Sequence, residues 1–191
     1  MDPQRPLTVA DLAARIRSGT PRLGRTRLVC IDGPAGSGKT TLAGRLADAL
    51  APGVAVVHLE DLYAGWTLTG VLARLCAGVP VGDRPEHAGA HARYDWHAGR
   101  FAAEPTSVPA AEVLLVEGCG SSPRVLDPWT TLRIWVEAPE PLRTERGLAR
   151  DGQHLAEEWR RWQRREAVEF AAQETRTRAD VRLDGAAPLP E

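Results

Sequence analysis

The sequence predicts an α/β protein: a parallel sheet of about five strands with helices on both faces. Two observations carry this. Short apolar runs recur along the chain: "RLVCIDG" (27–33), "VAVVHL" (54–59), "EVLLVEG" (112–118) and "LRIWVEA" (132–138). Runs of that length, bounded by turn residues, read as strands buried on both faces. Stretches with helical spacing of apolar residues lie between them, and such alternation marks a parallel sheet. The 191 residues suit one domain, with no linker and no internal repeat.

The elements follow in order. Thr8 and Asp11 form a capping box ahead of an amphipathic stripe of Leu7, Val9, Leu12 and Ile16, giving a helix in an N-terminal extension over 1–24. Gly19 and Pro21 stop it. After the first strand, Leu42, Leu46, Ala49 and Leu50 mark a helix over 40–50 that Pro52-Gly53 ends. "LTGVLARLCAG" (68–78) reads as a further helix. Residues 79–109 are rich in Gly, Pro, His and Arg with no clean period. A stretch that long without regular structure is unusual unless it is functional. Pro139 and Pro141 open a helix through about Arg150, and a charged helix spans roughly 155–174, burying Leu155, Trp159, Trp162 and Phe170. Its "RRWQRR" run is flanked by Glu157, Glu158, Glu166 and Glu169, a salt-bridged outer face rather than a nucleic-acid patch. "ADVRLDG" (179–185) is a last strand, and 186–191 a frayed tail.

Composition narrows the class. With 43% hydrophobic residues, 26% charged and a net charge of −1, nothing favours nucleic acid as a partner. No run is long and apolar enough for a signal peptide or a membrane span. Cys30, Cys76 and Cys119 are scattered, which argues against disulfides and zinc and for a cytoplasmic protein. His87, His91 and His97 fit no closed metal site. Nothing indicates an oligomer.

"GPAGSGKT" (33–40) carries the chemistry. Gly33, Gly36 and Gly38 leave room for backbone N–H groups to curl around phosphate oxygens, with Pro34, Ala35 and Ser37 between them. Lys39 is placed for the β- and γ-phosphates, the Thr40 hydroxyl for Mg²⁺, and Thr41 continues the helix start. The preceding strand and following helix are the context this motif requires, so the fold is a P-loop NTPase three-layer sandwich. Glu117, at the tip of "LLVEG", suits the Mg²⁺ shell.

Other residues point to phosphoryl transfer. No N-K-x-D for guanine selection is present. After the second strand, "HLEDLYAGW" offers Glu60 and Asp61: a carboxylate there suits the proton of an attacking hydroxyl, or the capping of a turn. Arg143, Arg146 and Arg150 share one helix face around a hinge-like Gly147, suiting a lid over 143–152.

These phrases, with "ARYDWHAGR", "LARDG" and "ADVRLDG", resemble uridine kinase-like nucleoside kinases, relatives of nicotinamide riboside kinases and phosphoribulokinases. The resemblance spans roughly 27–185. It implies ATP and Mg²⁺ as cofactors and a small-molecule acceptor, nucleoside or nucleoside-like; a sugar or antibiotic kinase, or a regulatory ATPase, are the alternatives. In that family an Asp after the second strand activates the substrate hydroxyl. Aligned on Tyr63, Glu60 takes that place and Asp61 follows. The family phrase Y-D-F-x-x-H-x-R holds the base. Here Tyr94-Asp95-Trp96 matches its start, His97 comes two positions early, Gly99 stands where the His is expected, and Arg100 is one residue closer. Arg146 and Arg150 resemble the lid arginines. The resemblance makes 79–109 an acceptor-site insert, in which Tyr94 and Trp96, with Trp66, would form a stacking wall.

Overall fold

The computed structural model describes residues 7–78, 89–187 and 189–191. In chain order these form α1 (Val9–Ser18), β1 (Arg27–Asp32), α2 (Lys39–Leu50), β2 (Val54–His58), α3 (Val71–Gly78), β3 (Gly89–Asp95) and β4 (Arg100–Val108). Then come β5 (Val113–Glu117), β6 (Thr130–Glu137), α4 (Glu140–Asp151), α5 (Ala156–Gln173), α6 (Thr175–Arg178) and β7 (Val181–Asp184).

Five strands make one parallel sheet in the order β2-β5-β1-β6-β7. Because successive side chains alternate faces, each strand feeds two cores. Val29, Ile31, Leu115 and Ile134 pack against α1 and α2, together with Leu12, Ile16 and Leu46. Leu28, Cys30, Leu114 and Val116 pack on the other side against Leu59, Leu62, Leu75 of α3 and Trp162 of α5. Both faces are therefore dry, which is why the strands read as continuous apolar runs. The register aligns the carboxyl ends of the central strands: His58 and Ile31 both pair with Glu117, and Asp32 with Trp135.

The ends of the chain are more integral than expected. Thr8 caps α1 as a capping box with Asp11, but α1 buries Val9, Leu12 and Ile16 in the first core and is no appendage. Residues 1–6 of the expected extension lie outside the described residues. Among the last residues, Pro190 O accepts the Val9 N–H at 2.8 Å, and Glu191 pairs with Arg45 at 2.5 Å. The tail is tied to α1 and α2 rather than frayed.

The stretch without a period contains a hairpin. β3 and β4 pair antiparallel, with Asp95 opposite Arg100. Its first ten residues, 79–88 with His87, lie outside the described residues. Most of β4 is solvent-exposed and β3 faces the core only at His91, so no hydrophobic alternation marks the strands. Asp95 accepts the N–H groups of His97 and Ala98 at 2.9 Å each, and Gly99 completes the turn at φ 64°.

A four-residue helix, α6, was not expected. Arg176 from it grips Glu137 at the end of β6 with two bonds, 2.6 and 2.8 Å, and Trp135 Nε1 donates to the same carboxylate at 2.7 Å. The Arg176 bonds lead in depressing the Glu137 pKa to about 2, below an ordinary 4.5. A depressed carboxylate stabilises the fold above its unfolded pKa, and that contribution is lost as pH falls through the folded value. Glu137→Gln should therefore lower the melting temperature at pH 7, and the gap to the parent should shrink as melts move from pH 5 towards pH 2.

Candidate functional site

β1 ends in Asp32, and the loop 33–38 turns from it into α2. That loop is walled by backbone. A Cβ on Gly33 (φ 142°) would lie 2.0 Å from Val136 O of β6, and one on Gly36 (φ 77°) 2.4 Å from Arg143 O of α4. Gly185, just past β7, approaches from a third side: a Cβ there would lie 1.9 Å from Ser37 O. Two of these three glycines belong to the motif, and they are demanded by packing as well as by conformation.

Below the loop, Asp32 is buried. It accepts N–H groups from Gly33 (2.7 Å), Gly120 (2.9 Å) and Ser122 (2.9 Å), stapling β1 to the loop after β5. Burial raises its pKa to about 6 despite these bonds. Lys39 Nζ lies 2.9 Å from Pro34 O and 3.6 Å from Cys119 Sγ, folded into the loop. Thr40 Oγ1 donates to Glu117 Oε1 at 3.1 Å, and His58 Nδ1 lies 2.7 Å from that same oxygen. The hydrogen bond to Glu117 raises the His58 pKa.

The three arginines of α4 do different work. Arg143 is buried, donating to Ala138 O (3.0 Å), Ala35 O (3.2 Å) and Glu166 Oε1 (3.3 Å). It braces the loop and is no lid residue. Arg146 faces the cavity and reaches the carbonyls of Gly36 (3.4 Å), Gly185 (2.8 Å) and Ala186 (3.1 Å). Arg150 also lines the cavity, gripped by Asp151 at 2.7 and 3.1 Å, which leads in raising its pKa. Gly147 is not a hinge. The helix runs through it unbroken, and a Cβ there would lie 2.0 Å from Trp159 Cζ2. Glycine is there to let α4 and α5 touch.

One cavity of about 770 Å³ joins these parts. Its floor is Ala35, Gly36, Gly38, Lys39, Thr40 and Thr41 with Glu117. Tyr63, Trp66, Trp96, Trp159 and Trp162 give it an aromatic lining, and Glu60, His97, Arg150 and His154 line it too. Glu60 and Asp61 sit in a short 3-10 turn after β2, and the turn separates them: Glu60 lines the cavity, whereas Asp61 pairs with Arg93 of the hairpin at 3.0 Å. Tyr63 is a buried strut whose hydroxyl donates to Cys119 O at 3.0 Å and whose ring meets Trp162 edge-on at 4.8 Å. Trp66 and Trp96 meet edge-on at 5.9 Å.

Tyr94, Asp95 and Arg100 do not line the cavity. Tyr94 stands behind Trp96 (5.3 Å) and packs on Phe101 (5.1 Å). Asp95 is the turn cap, and Arg100 pairs with it across the ladder. Sequence reading also passed over two acids. Asp32 directly precedes Gly33. Glu166 is expected on an outer salt-bridged face, yet it falls on the same stripe as Trp159 and Trp162, at i+7 and i+4, and is buried with them.

The residues fit a nucleotide and a divalent cation. The first i→i−4 bond of α2 runs from Leu42 N to Gly38 O, so the N–H groups of Lys39, Thr40 and Thr41 have no acceptor within the helix and suit an anion. Space over Gly38 is open, the nearest atom to a Cβ being Gly185 O at 3.9 Å. Thr40 and Glu117 would hold Mg²⁺ with phosphate oxygens and water, a usual shell for that ion. Among the described residues no group of three or more His, Cys, Asp or Glu forms a metal cage of its own, and no helix is long and apolar enough to cross a membrane.

No protein-family model and no curated protein matches the chain. Solved structures do. One, described as a possible uridine kinase from Bacillus stearothermophilus, has a TM-score of 0.64 at 19% identity, covering 92% of this chain and 97% of its own. Another, described provisionally as a fructose transport system kinase from a Silicibacter species, has a TM-score of 0.64 at 22% identity, covering 93% and 99%.

The α4–α5 contact gives a direct check. Gly147→Ala forces a methyl into Trp159, and overpacking of this kind costs roughly 1–3 kcal/mol. The melting temperature should fall by roughly 2–12 °C, with a changed near-ultraviolet tryptophan signal.

Proposed function

We infer that the chain, which shares the α/β fold of solved P-loop kinases, is itself a kinase. We propose that it transfers the γ-phosphoryl group of ATP to a hydroxyl of a small, flat-ringed molecule, nucleoside or nucleoside-like. One observation carries the reading: Glu60 lines the same cavity as Lys39, Thr40 and Glu117, while Asp61 is held outside by Arg93.

In this reading the floor amides and Lys39 hold the phosphates in line with the acceptor. Glu60 takes the acceptor proton as its oxygen bonds to the γ-phosphorus; the bond to the bridging oxygen breaks and ADP leaves. Arg146, anchored at the loop rim, and Arg150, oriented by Asp151, lie where charge develops on the transferring group. Thr40 and Glu117 would hold Mg²⁺, which would neutralise phosphate charge there. Trp66 and Trp96 receive the ring, and His97 on the hairpin turn contributes a polar contact. The two neighbours are described, provisionally, as a uridine kinase and a fructose transport system kinase, so sugars belong beside nucleosides in any survey.

A panel of nucleosides and sugars with Mg·ATP, read by ADP release and by mass spectrometry of the product, tests the reading. ADP release with no phosphorylated product on any of them would favour a regulatory ATPase acting through a protein partner. Lys39→Ala should abolish turnover. Glu60→Gln should lower kcat by about 10²–10⁴-fold, the usual worth of a general base, with nucleotide affinity retained. Asp61→Asn should leave kcat within severalfold. The reverse pattern at these two carboxylates would overturn the assignment.

A further inference from the structure

α5 reaches both the aromatic lining of the cavity and the loop 33–38. Trp159 packs on Gly147 of α4 and edge-on to Trp66 at 6.4 Å. Trp162 meets Tyr63 at 4.8 Å and Trp66 at 6.2 Å. Arg165 Nη1 donates to Trp66 O. One turn on from Trp162, Glu166 enters the protein beneath the loop 33–38.

The contacts of Glu166 are specific. Its Oε2 accepts the Ala35 N–H at 2.9 Å, across 131 positions of sequence, and the Cys119 thiol at 3.3 Å. Its Oε1 accepts from Arg143 Nη1 at 3.3 Å, and that same nitrogen donates to Ala35 O at 3.2 Å. Ala35 is thus gripped at both its N–H and its carbonyl by one buried ion pair. The next residue, Gly36, already abuts the Arg143 backbone. Burial raises the Glu166 pKa, with Ala35, Lys39, Cys119 and Arg143 acting against it. A charged acceptor at this depth is costly unless its geometry is used.

We propose that Glu166 is a positioning residue: through the Glu166–Arg143 clamp on Ala35, the helix that walls the acceptor side holds the phosphate loop in its nucleotide-binding shape. Nucleotide affinity then depends on a residue that touches no nucleotide atom, and occupation of the loop is felt along α5. The inference rests on the nucleotide-binding reading above.

The test uses the full chain and Mg·AMP-PNP. Affinity is measured by calorimetry, and protection of α5 by hydrogen exchange. Glu166→Ala should weaken affinity by about tenfold or more, the worth of a hydrogen bond to a charged acceptor, and should abolish nucleotide-dependent protection of residues 156–173. Glu166→Gln keeps an acceptor for Ala35 N–H and should recover most of the affinity. Glu157→Ala, on the exposed face of α5, should change neither. Since Glu166→Ala leaves Arg143 buried and unpaired, the paired change Arg143→Met/Glu166→Met removes both charges and keeps the volume. It should remain folded and bind about tenfold more weakly. Parental affinity in either folded variant, or protection of α5 unchanged by Glu166→Ala, overturns the inference. A parent chain that does not bind Mg·AMP-PNP overturns the nucleotide reading itself, and this with it.

Discussion

The loop 33–38 is held by main chain on three sides, and the rest of the site is arranged around that constraint. β6 closes against Gly33, the first turn of α4 against Gly36, and the segment after β7 against Ser37. Side chains complete the enclosure: Asp32 ties the loop's root to the strand-end peptides at Gly120 and Ser122, and Glu166 with Arg143 takes the Ala35 peptide. The Gly33, Ala35 and Ser37 N–H groups are committed to Asp32, Glu166 and Pro34 O, while the first N–H groups of α2 have no acceptor within their helix. A stiff cradle of this kind needs no reorganisation to receive charge.

Charge is segregated within this enclosure. Asp32 and Glu166 lie under the loop with Lys39 and Arg143. Glu117 and His58 lie at the strand tips beside Thr40 of α2, and Glu60 and Arg150 line the cavity. Asp32 and Glu166, buried and paired with specific donors, hold shape, whereas Glu60 lines the cavity. The aromatic wall follows a similar logic. Trp159 and Trp162 are core residues of α5 whose edges surface in the cavity, whereas Trp96 stands at 39% exposure on the hairpin turn. One wall is rigid and one is carried by a two-stranded ribbon.

The sheet was legible because burial on both faces leaves an apolar run in the sequence; all five strands appear near the expected positions, β6 starting two residues early. The hairpin was not, because exposure removes alternation and its turn is made by Asp95 and Gly99 rather than by a hydrophobic pattern. "YDWHAGR" shows the cost of reading a phrase as a unit: Trp96 and His97 reach the cavity, while Tyr94, Asp95 and Arg100 build the ribbon that carries them. Gly147 reads as hinge-like beside three arginines, yet its lack of a side chain serves contact with Trp159.

By itself the sequence determined the local chemistry: a strand, a glycine loop, Lys39 and Thr40 at a helix start, and acids at neighbouring strand tips. Those features depend on residues close together in the chain, so spacing suffices to read them. Only the tertiary structure decided which of two adjacent carboxylates looks inward. A 3-10 turn sends Glu60 and Asp61 different ways, and Arg93 of the distant hairpin holds one of them. It likewise turned Glu166 from a surface charge into a brace for Ala35, a bond between residues 131 positions apart that no local pattern encodes.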